Sequence, residues 1–171
     1  AIDTGYYLCG DYEKAIDAGE RSVAFARESK MPFNIAWGNF MLAMSLKSRG
    51  DLRRARECAD QALTISKECN AKSCEGMSLI LRGCMADEMD QAVIEEAECR
   101  IRSGIAILEE LNLKALIAVG YLHFGEFLAG AGRKDEAAEN LKKAETLYLE
   151  MEVTPQSYWL KHTKDAIAGL G

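Results

Sequence analysis

The chain has 171 residues, of which 49% are hydrophobic and 28% charged, and its formal net charge is −6. This length suits one domain with a buried core, and the composition argues against disorder. The negative charge argues against nucleic acid as the main partner, because phosphate binding needs clustered Lys and Arg. Apolar runs are only a few residues long, far short of a membrane span.

Helix-forming residues dominate the sequence between its two prolines, Pro32 and Pro155. β-branched residues are scattered, so strands are not indicated. We predict a short helix that ends near residue 8, followed by helices at 11–30, 33–49, 51–69, 72–87, 91–111, 114–131, 134–151 and 155–169. The predicted N-caps are Asp11, Asp51 and Thr154, because short polar side chains accept hydrogen bonds from a first helical turn.

Four segments of the chain share a motif in which a small residue opens a charged turn and an alanine closes it. In one-letter code they are GDYEKA at 10–15, GDLRRA at 50–55, a degenerate AVIEEA at 92–97, and GRKDEA at 132–137. The steps between them are 40, 42 and 40 residues. Such a period is typical of solenoids, in which helix hairpins stack along one direction.

Small residues then recur at helical spacing on both helices of each predicted hairpin. In the second copy the stripe after the turn is Ala55, Ala59, Ala62 and Leu63. The helix before the turn carries a small residue twelve positions ahead of the motif alanine, as at Ala43 and Gly125. Two helices that meet at small residues form a close antiparallel hairpin, and one hairpin needs neighbours to cover its faces.

The last copy, with Tyr121, Phe124, Gly125, Gly132 and Ala137, resembles the tetratricopeptide repeat. The usual repeat of that family has about 34 residues. The longer form seen here resembles the MalT-like repeats found behind ATPase modules in bacterial transcriptional activators and ATPase-linked nucleotide cyclases. The resemblance implies an all-α fold, a right-handed α-solenoid of stacked antiparallel helix hairpins with a C-terminal capping helix. It also implies a protein-binding role.

We expect one domain over residues 1–171. Its parts are a partial first repeat at 1–32, a repeat at 33–70, a degenerate repeat at 71–112, a repeat at 113–153 and a capping helix at 154–171. Because the chain begins with Ala rather than Met, we interpret it as part of a longer protein or as a processed form. The degenerate copy lacks a turn glycine and carries Arg82 where an apolar residue is usual, so we expect its loop at 87–90 to be mobile.

The sequence predicts no catalytic residue, no metal site and no cofactor. No Cys-x-x-Cys pair occurs among the six cysteines, which are at positions 9, 58, 69, 74, 84 and 99. With only His123 and His162 available, a zinc site of known spacing cannot be assembled. Cys69 and Cys74 could approach each other across a loop, but free thiols in a reducing cytoplasm are the main interpretation. The glycines at 130–132 belong to a hairpin turn rather than to a phosphate-binding loop.

The resemblance implies that the first helix of each hairpin lines the concave side of the solenoid. The candidate partner-binding residues are Trp37, Phe40, Met44 and Lys47, then Met77, Ile80, Cys84 and Asp87, then Val119, Leu122, Glu126 and Ala129. An exposed apolar groove marks a protein-binding site, so the expected ligand is an apolar or amphipathic segment, from a partner or from the same polypeptide. The alternative is that these side chains pack between adjacent helices and meet no ligand.

The leading functional hypothesis is a binding and scaffolding domain, a regulatory part of a larger bacterial signalling protein. The alternative is a structural module that self-associates as a homodimer through its N-terminal edge. There, Tyr6, Tyr7, Leu8 and Ile16 would lack the cover of the front half of the first hairpin.

Overall fold

The computed structural model describes residues 2–86, 91–154 and 157–170, and throughout these ranges the chain consists of helices and short connections. The helices are α1 (Ile2–Leu8), α2 (Tyr12–Glu28), α3 (Pro32–Arg49), α4 (Leu52–Glu68), α5 (Lys72–Gly83), α6 (Gln91–Glu110), α7 (Lys114–Gly130), α8 (Lys134–Glu150) and α9 (Tyr158–Ala168). The all-α prediction is confirmed.

The helices pair as four hairpins, α1 with α2, α3 with α4, α5 with α6 and α7 with α8. The odd-numbered helices also contact one another in succession from α1 to α9, whereas each even-numbered helix packs mainly on its odd-numbered neighbours. The odd-numbered helices therefore form the inner layer of a curved stack. The last helix, α9, packs against α8 and α7.

Side-chain caps start several of these helices. The Asp11 carboxylate accepts a hydrogen bond from the Lys14 backbone N–H and Asp51 accepts one from Arg54, each at 3.3 Å, which confirms both predicted N-caps. The predicted cap at Thr154 is wrong. Helix α9 begins only at Tyr158, because the Ser157 hydroxyl accepts from the Leu160 backbone N–H at 3.4 Å. Pro155, the predicted start of that helix, lies outside the described residues.

Left-handed backbone conformations recur at the turns of the described residues. Within the hairpins they fall on Gly10, Gly50 and Gly132, with φ between 76° and 92°. Between the hairpins they fall on non-glycine residues: Lys30, Asn70, Asn112 and Glu152, each with φ near 53°. These four are spaced by 40, 42 and 40 residues, so they carry the same period as the sequence motif. The predicted loop at 87–90 lies outside the described residues.

Glycine brings two helices of the third hairpin into main-chain contact. A Cβ atom added to Gly76 in α5 would lie 2.9 Å from the carbonyl oxygen of Gly104 in α6. One added to Gly83 would lie 2.7 Å from the carbonyl oxygen of Ala97. No side chain fits between helices at these distances, so glycine is what permits this hairpin to close.

The N-terminal edge is covered more fully than the sequence predicts. Tyr7 is only 6% exposed and Ile16 is buried, so the expectation that both lack cover is wrong. The ring of Tyr7 lies 5.8 Å from that of Tyr12 and 6.4 Å from that of Trp159 in α9, centroid to centroid. The last helix therefore supplies part of the cover for the first.

The state of the cysteines and the hydropathy of the helices also bear on the sequence predictions. All six cysteines are free thiols, including Cys69 and Cys74. Among the described residues, no helix combines the length and the apolar character that crossing a bilayer requires.

Candidate functional site

The predicted concave-face residues separate into a buried set and an accessible set. The buried side chains are Phe40, Met44, Met77, Ile80, Val119 and Leu122. Those that reach the surface in part are Trp37, Lys47, Cys84, Glu126 and Ala129, and Asp87 lies outside the described residues. Because the inner helices touch one another, their apolar side chains fill the space between them, which favours the packing alternative for the six. Partner binding by this face stays a prediction.

The accessible apolar part of the face lies near the start of α3. Phe33 is 51% exposed, and its ring stacks on that of Trp37 with centroids 6.4 Å apart and planes 9° from parallel. The Trp37 ring also contacts the buried ring of Phe40, with centroids 5.3 Å apart. We call Phe33 and Trp37 the aromatic patch. Sequence reasoning missed Phe33, although its place one turn before Trp37 on the same stripe was a usable signal.

The other accessible part is a polar cluster that joins α7 to α9. Both oxygens of the Glu126 carboxylate accept hydrogen bonds, from His123 Nδ1 at 3.0 Å and from His162 Nε2 at 2.6 Å. Burial alone would raise the pKa of Glu126, but the two histidine bonds outweigh it and hold that pKa far below its ordinary value. The bond to Glu126 raises the pKa of His162. We call these three residues the Glu126 cluster.

A small cavity of about 230 Å³ lies beside this cluster. Its lining residues are Lys47, Cys84, Ala86, His123, Glu126, Phe127 and Gly130. The Nε2 atom of His123 is buried and has no hydrogen-bond partner. The Cys84 thiol donates to the His123 carbonyl oxygen at 3.6 Å, and burial raises its pKa to about 12, so it is a neutral thiol at physiological pH.

The arrangement links α7 to α9 through the hydrogen bonds of Glu126 to the two histidines. Glu126 is fully engaged by two histidines, and the nearby thiol is not ionised, so neither is poised as a base or nucleophile. Within the ranges that the structure describes, no three His, Cys, Asp or Glu side chains come together as a metal site. The sequence did not predict the Glu126 cluster, since His162 lies 36 residues from Glu126 and meets it only after α9 docks.

Comparison with known proteins supports the fold. The tetratricopeptide repeat family profile matches residues 38–69, which span most of α3 and all of α4. A crystal structure described as a Podosopora anserina kinesin light chain with nearly identical TPR-like repeats superposes with a TM-score of 0.61. It is 15% identical, and the alignment covers 99% of this chain and 81% of that one. No curated protein sequence matches the chain.

At that identity the likeness shows the fold alone, and the architecture is that of a tetratricopeptide-like solenoid. Tetratricopeptide repeats are generally protein–protein interaction modules and are typically non-catalytic. The MalT-like subtype predicted from the repeat length is not distinguished by these matches.

Proposed function

We propose that this protein is a non-catalytic, protein-binding scaffold that holds an apolar or amphipathic segment of a partner on its inner face. The observation that carries the proposal is the aromatic patch. A phenylalanine that is half exposed and stacked on a partly exposed tryptophan offers a large apolar contact at low entropic cost. Isolated aromatic rings are common on a protein surface, whereas two stacked rings together offer the larger apolar contact that we propose as the anchor of the site.

The finer parts of the proposal come from the resemblance and the composition. We take the chain to be a regulatory part of a larger bacterial signalling protein of the MalT-like kind, which acts in the cytoplasm without a cofactor. Six free thiols favour a reducing compartment. The net charge of −6 favours a protein or peptide partner over nucleic acid.

The test uses peptides selected for binding to the wild-type protein from a displayed library of amphipathic helices. The variant that removes the aromatic patch is Phe33→Ala with Trp37→Ala. Phe40 is left intact, because it is 3% exposed and its truncation would cost about 3–5 kcal/mol of stability. We expect the selected peptides to lose at least about tenfold in affinity, measured by fluorescence anisotropy, as truncated anchor residues do.

Phe25→Ala is the matched control, since Phe25 is 68% exposed on α2 and makes no ring contact within the described residues. Its peptide affinity should stay within about twofold of wild type, as for an energetically neutral contact. Equal affinity of the patch variant and the wild type would show that partners bind elsewhere.

Self-association remains the second candidate, because Leu8 is exposed and Tyr6 partly so at the N-terminal edge. Fewer apolar side chains are available for this contact than the sequence predicts, since Tyr7 and Ile16 are already buried. Sedimentation of the wild type and of Leu8→Ser decides this point. A mass that rises with concentration and falls back in the variant would favour the homodimer.

A further inference from the structure

The last helix does more than cover the end of the stack. The Tyr158 and Trp159 rings at its start lie 6.2 Å and 6.4 Å from the ring of Tyr7 in α1, and Trp159 also meets His123 of α7 edge-on at 6.1 Å. The first and last helices are thus in contact across the inner side of the curve. Helix α9 occupies a surface formed by α1 and α7.

Two faces of α9 have different roles. Leu160 and Thr163 are fully buried, as expected for a helix that continues the inner layer. Tyr158, Trp159 and His162 are only partly buried and lie beside this buried pair on the helix, where they meet Tyr7, His123 and Glu126. This second face presents an aromatic pair and, one turn later, a histidine. It is the kind of face by which amphipathic helices bind grooves in trans.

The fit of this second face to its surface is incomplete. His123 is 9% exposed, yet its Nε2 atom has no partner. Because Nδ1 is taken by Glu126, Nε2 is the ring atom left without a hydrogen bond, which is unfavourable for a buried polar atom. The adjoining cavity of about 230 Å³ is lined by His123 together with Lys47. A helix with a hydroxyl or amide group at this point would satisfy the surface better than α9 does.

We propose that Tyr7, His123 and Glu126 form a docking surface for a helix that bears an aromatic pair followed one turn later by a histidine. In the resting protein α9 fills this surface from within the chain. A partner helix of the same chemistry, with an added hydroxyl or amide for His123, binds by displacing the aromatic face of α9. This deepens the proposed function by naming the kind of partner and the step that regulates its access.

The test is carried out on the full chain with one defined probe, a fluorescent peptide of the sequence from Ser157 to Leu170. In the wild type the attached α9 competes at an effective concentration in the millimolar range, so the peptide binds weakly. His162→Ala weakens the binding of the attached α9 to the surface. It does not weaken the binding of the peptide, because the peptide still contains the histidine. We expect the peptide to bind this variant about tenfold more tightly than the wild type, as loss of a charge-assisted hydrogen bond would allow.

Glu126→Gln is the contrasting variant. This substitution weakens the binding of both the attached α9 and the free peptide. The affinity of the peptide should therefore not exceed its affinity for the wild type, even though α9 is held less tightly. Lys161→Ala, on an exposed residue of the same helix, should leave peptide binding as in the wild type. Hydrogen–deuterium exchange of residues 158–168 runs alongside, and we expect faster exchange in the His162 and Glu126 variants but not in the Lys161 variant.

Two results would overturn the proposal. One is equal peptide affinity for the wild type and His162→Ala while α9 exchanges faster in the variant, which would mean that the vacated surface takes no helix. The other is exchange of α9 only together with the whole domain in every variant, which would make it a permanent part of the core. Neither result bears on the aromatic patch, since the selected peptides and the Phe33 and Trp37 variant report on that site independently.

Discussion

Glu126 carries an unusual share of the polar bonding on the inner face, because both of its oxygens are taken by histidines from two different helices. Against the effect of burial, the bonds from His123 and His162 together lower its pKa, and the second of these bonds also raises the pKa of His162. The groups that face His162 are Glu126 of α7, Asp165 of its own helix and, farther off, Lys47 of α3. The Tyr158 ring lies beside it, tilted by 38°, with centroids 5.7 Å apart.

This pairing predicts a pH dependence of stability with a definite sign. The folded pKa of His162 lies above its ordinary value of about 6.5, so its stabilisation is complete below that pH and is lost as pH rises through the folded pKa. We expect the free energy of unfolding to fall by up to about 1 kcal/mol across this range, since the pair is partly exposed. Urea denaturation between pH 6 and pH 9 measures the change.

His162→Gln is the control for this titration, because an amide can still donate to Glu126 but does not ionise. The variant should lack the part of the pH dependence that belongs to His162. If wild type and variant lose the same free energy over this range, the titrating group is not His162. Below about pH 4.5 both should weaken, because Glu126 binds a proton in the unfolded chain but not in the folded one.

Among elements, the third hairpin depends most directly on glycine. A Cβ atom on Gly104 would press on the carbonyl oxygen of Gly76 and lie 3.1 Å from the backbone nitrogen of Ile80. These are backbone atoms, which cannot rotate away from the added Cβ atom as the end of a flexible side chain can. Gly104→Ala should therefore lower the free energy of unfolding by about 1–3 kcal/mol, despite the better helix propensity of alanine. Thermal denaturation with circular dichroism measures the loss.

Gly5→Ala in α1 is the matched change, because an added Cβ atom at Gly5 meets no atom within 4 Å. It should be neutral or slightly stabilising, by at most about 1 kcal/mol, from propensity alone. An equal loss in the two variants would contradict a specific role for the main-chain contact between α5 and α6.

The elements themselves were largely predictable, because helix propensity, the recurring turn motif and the stripe of small residues all agree. Helix α4, predicted at 51–69 and found at Leu52–Glu68, is an example. The left-handed turns at Lys30 and Glu152 were not predictable, since neither residue favours that conformation and the packing of adjacent hairpins imposes it. The start of α9 was misjudged because Thr154–Pro155 is a plausible cap signal, while Ser157 makes the actual bond.

The candidate site was harder to predict, since exposure depends on how closely the inner helices approach one another. Periodicity placed Phe40, Ile80 and Leu122 on the inner face, but only the packed structure reveals that they are buried. The Glu126 cluster and the contact of Tyr7 with Trp159 join residues that are distant in sequence. A local sequence pattern cannot predict contacts of this kind.

At the scale of the whole molecule, the contact between α1 and α9 predicts coupling between the two ends of the stack. Tyr7→Leu keeps an apolar side chain at a buried position and removes the ring that meets Tyr158 and Trp159. We expect the amides of residues 158–168 to exchange at least about threefold faster with deuterium, because local opening follows the loss of local contacts.

Tyr6→Leu is the comparison for this experiment, since Tyr6 is the adjacent tyrosine of α1 and its ring lies 5.8 Å from the Lys14 ammonium instead of against α9. Its exchange in residues 158–168 should match the wild type. Unchanged protection in Tyr7→Leu would mean that the ring contact contributes nothing to holding the last helix.

A solenoid with free ends behaves as a soft spring, because each hairpin leans only on its neighbours and small bends add along the stack. Here the rings of Tyr7 and Trp159 fasten one end to the other. A tensile force applied between α1 and α9 must separate these rings before the stack of hairpins can lengthen. We therefore expect the hairpins between α1 and α9 to resist extension at low force more than an open stack of the same helices would.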